Sequence, residues 1–327
     1  MSYRALLIWL TLACAGLFLA SLLIGPSGIG PIEGLRALIT GQGAPGLVMR
    51  ELRLPRALLG VGVGAALGLS GAAMQGFLRN PLAEPGLIGT TAGAALGAVL
   101  AIQTGLYAAF ALALPLAALA GAALAVVLIV ALAGREARAL VLILAGIAVS
   151  ALAGAATALV LNLAPSPYAA AEIVFWMMGS LADRSMTHVA LAAPFLILGA
   201  VILLRAGPGL DALSLGEDAA ASMGISLSRL RLQIVFGTAL MVGAATAVAG
   251  AVGFVGLVVP HLLRKHVGAS PSRLLPASAL GGAVMLLAAD IATRVIAPER
   301  DLKLGVLTAI VGAPFFLSMI RKLGRET

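Results

Sequence analysis

The chain reads as long apolar stretches broken at short intervals by glycine, proline and single charges. This pattern predicts about ten helical spans: 5–25, 57–78, 87–104, 107–133, 139–163, 187–205, 230–250, 252–264, 273–297 and 304–320. A helix needs roughly 20 apolar residues to cross a hydrocarbon core about 30 Å thick, and most of these stretches suffice. The eighth is too short and follows the glycines between Gly250 and Gly256, so a half-helix is expected there. Two segments outside the spans also read as helix. One is 31–40, opened by Pro31; the other is Tyr168 to Leu181, with Phe175, Trp176, Met177 and Met178 at the level of an aromatic belt. Within the long polar stretch Ala206 to Arg231, Glu217 and Asp218 start a short alanine-rich helix that Gly224 ends.

Composition fixes the solvent. With 61% hydrophobic and 10% charged residues among 327, a soluble globule would expose more apolar surface than water tolerates. The expected fold class is therefore an all-α polytopic membrane protein, one transmembrane domain over 1–327. Forty glycines and few aromatics suit helices that approach closely through small residues. The net charge of +8 does not indicate nucleic-acid binding, because the basic residues stand singly between apolar segments. One cysteine, Cys14, allows neither an intrachain disulfide nor a cysteine metal cluster. The apolar run Ala5 to Gly25 exceeds a signal-peptide core and is expected to stay as the first helix.

Threading the spans alternately puts Arg4, Arg79, Arg135, Arg138, Arg205, Arg229, Arg231, Arg264, Lys265, Arg273, Arg321, Lys322 and Arg325 on one side. These are thirteen of the 21 basic residues, so that side is expected to be cytoplasmic, with both termini inside. Arg36, Arg50, Arg53, Arg56, Arg184, Arg294, Arg300 and Lys303 remain outside. Four of them crowd before the second span, more positive charge than the rule leads one to expect.

Several chemistries lack their residues. None of Lys265, Lys303 and Lys322 follows a glycine, so there is no GxxxxGK[ST] phosphate loop. The series Gly60, Gly62, Gly64, Gly68, Gly71 lies inside an apolar span, where it reads as helix packing and not as a dinucleotide fingerprint. Zinc-protease, paired-cysteine and GxSxG motifs are missing, and His188, His261 and His266 stand far apart. No catalytic residue and no metal ligand is assigned. Asp290 is the acidic residue well inside a span; it reads either as an i,i+4 ion pair with Arg294 or as the coupling group of an ion-driven secondary transporter.

The run RLPRALLGVGVGAALGLSGAAMQGFLRNPLAEPGLIG at 53–89 resembles the permease family of ATP-binding-cassette importers for vitamin B12, haem and ferric siderophores, the FecCD type. FWMMGSL (175–181), LSLGEDAAASMGI (213–225), GFVGLVVPHLLR (253–264), LLPASALGGAVMLLAADIATR (274–294) and LGVLTAIVGAPFF (304–316) continue the match in order. The resemblance implies the fold of a type II importer permease: a ten-helix subunit in the bacterial inner membrane that pairs with a second copy of itself. It implies two cytoplasmic ATPase subunits, which bind the ATP and magnesium, and a periplasmic substrate-binding protein; this chain holds no cofactor. By position it implies a coupling helix at Leu213, Leu215, Gly216, Glu217, Asp218 and Gly224, and binding-protein docking through Arg53, Arg56 and Arg294. Snorkelling at the interface is the competing reading for Arg53 and Arg56. Ala139 and Leu140 match a cytoplasmic gate, and Ala148, Ser150, Ala151 and Gly154 a translocation path between the fifth and tenth spans of two copies. An apolar gate leans toward haem or another iron chelate over vitamin B12.

Overall fold

The computed structural model describes residues 2–110, 112–134, 139–164, 166–298 and 302–326, and of Leu87, Ala139, Ile320 and residues 322–326 the backbone only. Among them there are fifteen α-helices and no strand. In chain order these are α1 (Tyr3–Leu23), α2 (Pro31–Thr40), α3 (Gly43–Leu47), α4 (Leu54–Leu78), α5 (Thr90–Gln103), α6 (Ala113–Ala133), α7 (Ala139–Asn162) and α8 (Pro167–Met177). They continue with α9 (Met186–Arg205), α10 (Gly207–Leu213), α11 (Glu217–Ser222), α12 (Leu227–Ala249), α13 (Val255–Arg264), α14 (Pro271–Ile296) and α15 (Leu304–Glu326). Seven helical stretches are long and apolar enough to cross a membrane, and α5, α13 and the segment Leu304–Met319 of α15 are shorter apolar helices. These coincide with the ten spans read from the sequence, with α13 as the half-helix.

Burial sorts the helices. The run through α4 is 78% buried over its apolar window, α1 and α9 only 17%, so α4 stands at the centre and the other two face lipid. Backbone contact explains why glycine fills α4. A Cβ on Gly68 would overlap the Ser278 carbonyl of α14, and one on Gly282 would overlap the Gly64 carbonyl of α4. Without side chains at these positions the two helices lie backbone on backbone, and dispersion over that contact replaces the hydrophobic drive that lipid does not supply.

Three features depart from the sequence reading. The loop expected before α4 is helical: α3 runs through a π-helical turn, Val48–Arg53, directly into α4. Pro55 has no N–H for the Glu51 carbonyl, and the wider turn absorbs that missing bond. The fourth span starts at Ala113, after a short 3-10 turn at Leu106–Ala108. The helix α8, expected to run to Leu181, ends at Met177, because Gly179 takes a φ of +72° and turns the chain. Arg135, Arg138 and Arg300 lie outside the described residues.

Candidate functional site

At the end of the bundle expected to lie outside, α4 and α14 converge on the last turn of α1. The carbonyls at a helix C-terminus have no intrahelical donor, and in a membrane they must find one. Two arginines supply it. Arg53 Nη1 donates to the carbonyls of Leu22 and Leu23 at 2.9 and 3.0 Å, and Arg294 Nη1 to those of Ser21 and Ile24 at 2.9 and 2.8 Å. Arg53 Nη2 also donates to Ser27 Oγ at 2.5 Å, and Arg294 Nη2 to Ser21 Oγ at 2.7 Å. Gly25 makes room: a Cβ there would stand 3.1 Å from Arg53 Nη2. The guanidinia also complement the negative end of the α1 dipole.

Asp290 joins the cluster from α14. Its carboxylate is 1% exposed, with Arg56 Nη2 and Arg294 Nη2 each at 2.9 Å and Arg56 Nε donating at 2.9 Å. The i,i+4 pair with Arg294 therefore forms, and Arg56 adds a second guanidinium on the other oxygen. Three positive charges against one negative leave a net of two in this cluster. The arginines differ in access. Arg53 is 6% exposed and the Arg294 side chain 7%, whereas the Arg56 side chain keeps 21%.

Two more arginines expected outside follow the same logic. Arg50 donates to the carbonyls of Leu38 and Ile39 at the end of α2, and Arg184 to Val248 at the end of α12. Burial lowers the Arg184 pKa, and neighbouring Asp183 acts against that shift. Helix-end carbonyls thus account for much of the positive charge expected outside, a role that the sequence reading did not assign. Arg53→Gln is expected to cost about 1–3 kcal/mol by leaving buried carbonyls unpaired, read as a lower melting midpoint in detergent. Arg36→Gln, on the exposed face of α2, should leave it unchanged.

At the opposite end lies the segment expected to couple. Asp211 on α10 accepts from the backbone N–H of Ser272 at 2.9 Å and from Ser270 Oγ at 3.3 Å, capping the start of α14. The helix α11 starts at Glu217 as expected, and Gly224, with φ +81°, follows its end. Leu213 is buried and anchors the segment, while Leu215 and Met223 stand exposed on either side of the exposed Glu217 and Asp218. Gly216 takes a φ of +116°, a turn that a side chain would strain. The sequence reading missed α10 and the Asp211 cap, although Pro208 at the first turn was a signal for that helix.

The remaining assigned residues sit on α7. Ala148, Ala151 and Gly154 lie on one exposed face, and nothing stands within 4 Å of a Cβ built on Gly154. Ser150 is half-buried and turns toward Gly89, whose Cβ would lie 3.2 Å from its hydroxyl. Leu140 is exposed in the first turn, beside Ala139, of which only the backbone is described. Among the described residues no group of three or more His, Cys, Asp or Glu side chains gathers into a metal site.

The model of the FecCD transport family matches residues 11–322. The chain belongs to this family. It is 38% identical to the Fe(3+) dicitrate transport system permease protein FecD of Escherichia coli, over 98% of this chain and 99% of that protein. It is 36% identical to the hemin transport system permease protein HmuU of Yersinia pestis, over 83% of this chain and 82% of the relative. A solved structure, assigned as a metal-chelate type ABC transporter in an inward-facing conformation, superposes with a TM-score of 0.85 at 33% identity. It covers 98% of this chain and 99% of its own. This member of the family is thus a multi-pass transport permease, with the ten-helix architecture that the resemblance implied.

Proposed function

We propose that this permease is the membrane subunit of an ATP-driven importer for a metal chelate, haem or a ferric siderophore in preference to vitamin B12. One observation carries the reading. The two ends of α14 hold the two faces such a subunit needs: a net-positive cluster outside, and a fixed cytoplasmic segment presenting Leu215 and Met223 beside two acids. Relatives named for hemin and Fe(3+) dicitrate support the chelate class.

In this reading the whole chain, 1–327, acts as one domain in a bacterial inner membrane, with both termini cytoplasmic. Two copies pair so that the exposed α7 face with Ala148, Ala151 and Gly154 lines an alternating-access path, narrowed on the cytoplasmic side at Ala139 and Leu140. Leu215, Glu217, Asp218 and Met223 meet the ATPase, Leu213 and Gly216 set their orientation, and Gly224 ends the helix. A periplasmic binding protein docks by its acidic groups. Arg56 is the arginine that touches them, while Arg53 and Arg294 supply field and scaffold. ATP and magnesium stay on the partner ATPase.

Co-reconstitution with ATPase and binding protein in vesicles tests this. Uptake of haem, followed by its Soret band, or of a ferric chelate should require hydrolysable ATP and fall sharply with Leu215→Arg. Uptake that runs on a proton gradient without ATPase would sink the proposal and favour the ion-coupled carrier. Against that carrier stands the pairing of Asp290: both its oxygens hold guanidinia, so a transported cation would have to displace one of them.

A further inference from the structure

The half-helix α13 begins in the middle of the bundle, and its two weak points are mended by side chains from one direction. Pro260 deprives the Gly256 carbonyl of its intrahelical donor. Gln75 of α4, fully buried, donates its Nε2 to the carbonyls of Gly256 and Leu257 at 3.4 and 3.3 Å. Its own Oε1 accepts from Arg264 Nη2 in the last turn of α13 at 2.8 Å, so one amide ties both parts of the half-helix. At the other end Phe254 holds a left-handed conformation, φ +67°, rare for a residue with a side chain. Glu84 Oε1 accepts the Phe254 backbone N–H at 2.9 Å.

Glu84 lies deep. After α4 ends at Leu78, residues 79–89 turn back into the bundle, and Glu84 shares the wall of a cavity of about 200 Å³ with Leu67 and Gly256. Leu67 stands eleven residues before Leu78, about 16 Å up the helix. Glu84 and Phe254 are both half-buried, and the Glu84 carboxylate gives the Phe254 N–H a fixed partner where secondary structure supplies none. The Phe254 ring in turn fills the space that Gly312 of α15 leaves open, and His261 meets Phe315 of α15 edge-on at 5.6 Å. Leu82 of the re-entrant segment packs into the same apolar cluster as Phe315, Phe316 and Met319.

We propose that Glu84 and Gln75 are positioning residues that fasten the re-entrant segment, α13 and α15 to α4, so that these segments move as one piece when the path opens and closes. The proposal rests on the importer reading. The bonds from Glu84 and from Gln75 Nε2 run from side chain to backbone and fix the start of α13 whatever its side chains, while the Gln75–Arg264 bond holds its last turn through a side chain.

The test uses the full chain in nanodiscs with ATPase and binding protein, reading uptake, ATP hydrolysis and amide hydrogen exchange over 250–258. Glu84→Ala is expected to speed exchange at Phe254 and to lower uptake by about tenfold each, with hydrolysis within about twofold. Glu84→Gln, whose amide oxygen can accept the same N–H, should restore both. Unchanged exchange in Glu84→Ala overturns the fastening role, and so does uptake falling equally in Gln and Ala. Should Glu84→Ala fail to fold, Gln75→Met, which removes the donor at similar volume, is read by the same criteria. If the unaltered protein shows no ATP-driven uptake, the importer reading fails while exchange still decides the fastening.

Discussion

Asp290→Asn is expected to destabilise the folded permease by about 3–5 kcal/mol, the usual loss when one partner of a buried ion pair is removed. The change is nearly isosteric, so the cost is electrostatic. Asp290 is 1% exposed and bridges Arg56 and Arg294, and without its charge two guanidinia face each other with Arg53 nearby. The melting midpoint in detergent should fall by roughly 10 °C for a chain of this size. Arg56→Gln added to Asp290→Asn should recover part of that loss, because it removes a charge that has become unpaired. A midpoint within 2 °C or so of the unaltered protein would show that the cluster does not hold the outer ends of α1, α4 and α14 together. The same variant separates transport readings: once folded at low temperature, an importer keeps ATP-driven uptake, whereas a carrier coupled through Asp290 loses it.

Gly68→Val should be comparably damaging, about 3 kcal/mol or more, and is expected to leave no monodisperse folded protein in size exclusion. A side chain at Gly68 meets the Ser278 carbonyl and the Gly282 backbone of α14, neither of which can yield as a flexible side chain would. The contact between α4 and α14 would open along its length, separating the helix that carries Arg56 from the one that carries Asp290. Gly16→Val supplies the control, since nothing lies within 4 Å of a Cβ there. Equal behaviour of the two variants would refute the backbone contact as the source of tight packing.

Much of this architecture was legible from hydropathy, because in lipid each span must satisfy its own backbone and so announces itself as an uninterrupted apolar run. That reasoning located α1, α9, α12 and α14 to within a few residues, and it recognised α13 as a half-helix from its length. It stumbled where the chain does something other than cross. The stretch before the second span was given no helix, yet Val48–Arg53 form a π-helical turn into α4, and Arg53 there finds its partners on α1. Glu84 received no reading from the sequence, because its partner, the Phe254 N–H, is 170 residues away.

The outer arginines draw the line most clearly. Sequence alone showed four arginines crowding before the second span, Asp290 within a span with Arg294 one turn away, and no phosphate loop of the chain's own. Those facts depend on local spacing and on the bilayer as solvent. Only the tertiary structure decided which arginine is committed and which is accessible. Arg53 and Arg294 are consumed by the four carbonyls from Ser21 to Ile24, leaving Arg56 as the partly exposed member of the three. A guanidinium has the same sequence signature whether it caps a helix, pairs with an acid or waits for a partner. What distinguishes these roles is which backbone ends at the same depth, and that is set by how α1, α4 and α14 pack.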